Sequence, residues 1–140
     1  MLLLASCDRV TEPPGGRSGF VVDGRQILAE PDLWRSFFPG STTPDGDPLA
    51  LYVRLRAPDS LPLPAGLSAT RAWVFDESGF WETELVLDQT WSPPNLARYH
   101  AYDGPKWGPG IRVDVTVQVV QAGGGTWDVF IPGCVIGMCE

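Results

Sequence analysis

The sequence predicts an all-β fold, a two-sheet antiparallel sandwich of about seven strands. Three observations point there. The chain carries 16 glycines and 14 prolines in 140 residues, and long helices tolerate neither. Several segments alternate apolar and polar residues with a period of two, the mark of a half-buried strand. Short clusters of Gly, Pro, Asp and Asn separate those segments, as turns between strands should.

Phe20-Val21-Val22-Asp23, followed by Gly24, reads as the first strand and its turn. Residues 31–38 (PDLWRSFF) read as a short helical turn, with Leu33, Phe37 and Trp34 toward the core and Pro39-Gly40 ending it. Residues 49–57 alternate cleanly. Leu49, Leu51, Val53 and Leu55 take one face, and Tyr52, Arg54 and Arg56 the other. Residues 58–67 form a proline-rich connection.

Residues 69–75 and 80–87 form a hairpin around Asp76-Glu77-Ser78-Gly79. In the second arm Glu82 and Glu84 face water, which turns Trp81, Leu85 and Leu87 inward. Residues 97–102 make a weaker strand. The strongest pattern follows, with Ile111, Val113, Val115, Val117 and Val119 alternating with Arg112, Asp114, Thr116 and Gln118. A long β-branched stripe with a polar reverse suits an antiparallel sheet with one wet side. A Gly-rich hairpin then returns the chain through residues 126–131, with Trp127, Val129 and Ile131 inward. The pattern is immunoglobulin-like in the broad sense, although the Cys…Trp…Cys spacing of true immunoglobulin domains is absent. A small β-barrel is the alternative.

Leu4-Ala5-Ser6-Cys7 closes an apolar start and resembles the lipobox of bacterial lipoproteins. That resemblance implies that Cys7 carries a lipid through its sulfur and that the chain is held, outside the cytoplasm, at a membrane of the cell envelope, in the periplasm or at the cell surface. Only six residues precede Cys7, so residues 1–7 are expected to be the end of a signal segment whose start lies upstream. Residues 8–19 (DRVTEPPGGRSG) are almost devoid of apolar side chains and read as a flexible tether. Residues 20–140 are then the β domain. Anchoring by more than one acyl chain is stable, each buried CH₂ contributing about 0.8 kcal/mol. Apolar runs elsewhere stop well short of the ~20 residues that span a bilayer.

The net charge of −7 argues against nucleic acid and against direct adhesion to anionic lipid. With Cys7 lipidated, Cys134 and Cys139 remain as a pair in an oxidising compartment, and Gly133 and Gly137 let the backbone turn back. A small terminal disulfide loop is the expectation, with free thiols as the alternative. A metal site would need more ligands than these cysteines and a distant histidine supply.

Catalytic signatures are weak. His100, the single histidine, has no Gly-x-Ser-x-Gly elbow to serve, and an exposed strand histidine is the simpler reading. Asp45-Gly46-Asp47 offers two carboxylates in a turn, against the 6–8 oxygens that calcium takes. No catalytic residue, metal or cofactor is assigned. The charged stripes Arg54/Arg56 and Glu82/Glu84 are expected to form cross-strand pairs if their strands are neighbours; if they are not, Tyr52 with the two arginines would suit an anionic ligand. Among six tryptophans, Trp73, Trp81 and Trp127 are expected in the core. Trp34, Trp91 and Trp107 fall in loops or at element ends. Trp91, with Trp107 beside Lys106 in a Gly/Pro loop, are the candidate ligand contacts, since exposed indoles serve sugar rings and protein hot spots alike.

The sequence therefore predicts a non-enzymatic binding or protein-interaction module, with an envelope protein or a glycan as partner. Carbohydrate binding through the loop tryptophans is one alternative, and a small hydrolase centred on His100 is another.

Overall fold

The computed structural model describes residues 18–37 and 45–139. They form nine strands: β1 (Ser18–Val22), β2 (Arg25–Ser36), β3 (Leu49–Arg56), β4 (Leu67–Phe75), β5 (Phe80–Glu84), β6 (Val86–Leu87), β7 (Leu96–Gly104), β8 (Arg112–Gln121) and β9 (Thr126–Cys139). The strand order is β5-β4-β8-β9-β2-β3-β7-β6, with β1 added on β2. The sheet is mostly antiparallel and nearly closed into a barrel, with β9 passing from β8 to β2.

Closure depends on two strands that change partners. From Thr126 to Val135 β9 runs antiparallel to β8, and from Ile136 to Cys139 it runs parallel to β2. The register shifts between Val113 and Val115 of β8, where Pro132 and Gly133 of β9 stand opposite Asp114 alone, one residue in excess. Gly133 has φ 72°, a left-handed conformation that bends a strand at little cost only for glycine. At the other end Leu85 separates β5, which pairs with β4, from β6, which pairs with β7.

β2 corrects the helical turn expected over residues 31–38. Leu33 and Phe37 sit four apart in sequence, as in a helix, but the inward face of β2 is Ile27, Ala29, Pro31, Leu33 and Arg35, a period of two, with Glu30 of the opposite face buried as well. Pro31 is tolerated because of its place. On that side of β2 the pairing with β1 ends at Ala29 and the pairing with β9 begins at Leu33, so the missing N–H falls between two partners. Phe38 lies outside the described residues.

The core is the meeting of stripes. Leu49, Leu51, Val53 and Leu55 of β3 and Val113, Val115, Val117 and Val119 of β8 are all buried in one cluster, with Ala72 and Val74 of β4. Trp81, Leu85 and Trp127 pack against it, as the alternation implies. Trp73 does not. It lies on the outer face of β4, between Glu82 of β5 and Thr116 of β8, because the inward parity belongs to Ala72 and Val74. Leu87 is exposed, since the break at Leu85 interrupts the alternation. Ile111 precedes β8 and is exposed as well.

Candidate functional site

The outer face of β2, β3 and β7 gathers side chains that neither the core nor solubility requires. Register builds it in rows. Asp32 of β2 faces Tyr52 of β3, which faces His100 of β7; one row along, Glu30 faces Arg54, which faces Arg98. The period of two then puts Trp34 and Tyr102 on the same face.

The aromatic members touch. His100 stacks on Tyr102 with ring centroids 4.6 Å apart, and Tyr102 meets Tyr52 edge to face at 5.8 Å. Burial, followed by the neighbouring Tyr102, pushes the Tyr52 phenol up to about 12, so it stays a neutral donor through the physiological range.

The charged members are paired. Arg56 donates to both Glu30 oxygens, at 2.8 and 3.2 Å. Arg54 lies 3.5 Å from Glu30 and 3.6 Å from Asp32. Arg54 and Arg98 stand opposite each other as like charges, and acids beside Arg54 offset that repulsion. Arg98 donates to Ser92 Oγ at 3.1 Å. Burial raises the Asp32 carboxyl; Arg54 opposes the shift and Glu30 adds to it.

Two depressions adjoin this face. One, of about 220 Å³, lies over Asp32, Trp34, Tyr52, Arg54, Asp88 and Arg98. The other, of about 490 Å³, is the seam of the barrel between β5 and β7, lined by Arg71, Glu82, Glu84, His100, Tyr102 and Asp103. Arg71 bridges Glu82 at 2.9 Å and Glu84 at 3.4 Å. The two expected charge stripes thus find partners, but not each other: Arg54 and Arg56 meet acids of β2, and Glu82 and Glu84 meet Arg71 of β4.

The loop candidates separate. Trp91 is 79% exposed, in the connection that enters β7. Trp107 follows the other end of β7, after Gly104. It packs against the core, while Lys106 Nζ pairs with Asp45 Oδ1 at 2.8 Å. The residue that organises that end is Arg35, assigned no role in the sequence reading. Its side chain is 2% exposed. It donates to the carbonyls of Asp45, Asp47, Trp107 and Gly108, the last three at 2.8, 3.2 and 3.2 Å, and its guanidinium lies 4.9 Å from the Phe37 ring centre. Lys106 and Trp107 therefore belong to a braced loop pair.

Cys7 lies outside the described residues. Cys134 is a free, buried thiol, 3.6 Å from the Ile131 carbonyl. It shares β9 with Cys139, and five residues of extended strand span about 16 Å. A bond between them would require the end of β9 to leave β2. Among the described residues no cluster of three or more metal-ligating side chains occurs, and no helix is long and apolar enough to cross a membrane.

Asp32, Trp34 and Arg98 went unrecognised as a group because cross-strand register, which brings them together, is not written in any one segment. The paired acids Glu30 and Asp32, with the period that links them to Trp34, were the signal a strand reading of β2 would have exposed. No family model, curated protein or solved structure matches the chain.

Proposed function

We propose that this chain is a lipid-anchored lipoprotein of the bacterial cell envelope whose β domain is a non-enzymatic binding module. The anchor reading rests on Leu4-Ala5-Ser6-Cys7 and the polar tether behind it. The binding reading rests on one observation: Trp34, Tyr52, His100 and Tyr102 share an outer face with Asp32, Arg54 and Arg98, while the barrel interior is filled by apolar side chains. Aromatic bodies with polar tips are the side chains that recognition surfaces use most. The module's partner is an envelope protein or a glycan. The exposed Trp91 favours a glycan as the second reading, because nothing in the fold needs a large indole in water.

A photocrosslinking residue in place of Tyr102, in the full-length protein in its native membrane, tests the binding face. The same residue in place of Asp128, exposed on β9, is the control. A discrete adduct at 102 that is absent at 128 supports the reading, and equal yields at both contradict it.

A further inference from the structure

The smaller depression has the make-up of a sugar subsite. Its volume of about 220 Å³ is below the ~300 Å³ at which sites for drug-sized ligands begin, which suits a single ring. Trp34 and Tyr52 supply aromatic surface. The polar groups have capacity to spare. Asp32 meets Arg54 only at 3.6 Å, beyond hydrogen-bond length, so among the described residues its carboxylate keeps lone pairs for incoming hydroxyls. Arg98 gives Ser92 one of the five donors a guanidinium carries.

The charges sum to zero, with Asp32 and Asp88 against Arg54 and Arg98. With no net charge in the lining an ion gains no net attraction there, whereas a neutral ligand with many hydroxyls can hydrogen-bond to groups of both signs. The lining is also tied to Trp91. Asp88 accepts from the Thr90 amide at 2.9 Å and Arg98 donates to Ser92 at 3.1 Å, so the residues on both sides of Trp91 are fastened to walls of the depression. An almost fully exposed indole is thereby held beside it.

From this arrangement we infer that the depression binds one neutral pyranose of a glycan, stacked on the Trp34–Tyr52 wall with its hydroxyls held by Asp32 and Arg98, and that Trp91 takes the next sugar. The inference rests on the binding-module reading and names its ligand class.

The test uses methyl glycosides of glucose, galactose, mannose and N-acetylglucosamine, their linear tetrasaccharides, and glucuronic acid as the charged arm. The full chain in detergent is titrated by saturation-transfer NMR. At least one neutral glycoside is expected to saturate in the ~1–10 mM range, where single sugars with few contacts fall. Trp34→Ala and Asp32→Asn should each weaken it about tenfold or more. Trp91→Ala should weaken the tetrasaccharide and leave the monosaccharide unchanged. Asp32→Asn keeps the shape of the site, so it decides the matter if Trp34→Ala fails to fold.

Saturation by no neutral glycoside, unchanged binding in both depression variants, or tighter binding of glucuronic acid overturns the inference. A discrete adduct at position 102 with no glycoside binding would remove the sugar subsite and leave the binding module standing. Equal adducts at 102 and 128 would remove the module itself.

Discussion

The Trp81 ring lies against Gly104, across the seam of the barrel: a methyl group built on Gly104 would sit 2.7 Å from Trp81 Cζ3 and 2.9 Å from the Leu49 Cβ. Along this stretch β5 and β7 are not paired, and the indole fills the space between them. Gly104→Ala should therefore destabilise the domain by about 1–3 kcal/mol, the usual cost of overpacking. Urea unfolding of the two proteins reads this directly, and an unchanged midpoint would mean that the seam yields freely.

Arg35 joins two loops from inside the fold. Its donors satisfy carbonyls of residues 45, 47, 107 and 108, and a lysine cannot reproduce that fork. Arg35→Lys is expected to cost roughly 2–4 kcal/mol, because buried carbonyls lose partners worth ~1–3 kcal/mol each when left unsatisfied and water recovers part of it. Hydrogen exchange should quicken in residues 45–48 and 105–111 before it does in β3 or β8. Uniform exchange across the domain would assign Arg35 no bracing role.

β3 and β8 were legible in the sequence because one face of each is uniformly apolar and the other polar, so the period of two survives any choice of partner. β2 was not, because its buried positions include Pro31 and Arg35. Those residues look like surface or loop until the gap between β1 and β9, and the carbonyls around Arg35, are seen. β9 was legible to Ile131 and then obscured by Pro132-Gly133, a turn signal that here marks a bend between partners. The candidate face depends on register between β2, β3 and β7. Single-strand patterns place Tyr52 and Arg54 outward but cannot say that Asp32, Trp34 and Arg98 stand beside them.

Burial, then the Asp114 and Asp32 carboxylates, pushes the Cys134 thiol up to about 11 from its ordinary 9.0. The folded state thus holds this proton more tightly than the unfolded chain. The associated stability is fully present below pH 9 and is lost as pH rises toward 11, on the order of 2–3 kcal/mol. Cys134→Ala should show a shallower loss of stability than the native protein across that window. At pH 8 the native thiol should react slowly with a disulfide reagent and rapidly after denaturation. A denatured, unreduced protein from Arg17 onward that titrates no thiol would instead establish a Cys134–Cys139 bond.

Asp32 separates binding from folding. Its carboxyl is raised above 3.8 chiefly by burial, so the folded state favours the protonated form and stability declines as pH rises through that range. Removing the charge removes the decline. Asp32→Asn should therefore be at least as stable as the native protein at pH 7 in thermal unfolding. A lower midpoint would mean that the contact with Arg54 outweighs the cost of burial.

The most direct measurement follows the six tryptophan indole N–H signals by NMR while an envelope glycan is titrated into the protein. Binding at the proposed subsite predicts that the Trp34 and Trp91 signals move together and saturate, while Trp107, packed on the core, and Trp73, on the outer face of β4, stay in place. Movement confined to Trp73 or Trp107, with Trp34 unmoved, would contradict the account and place recognition elsewhere on the barrel.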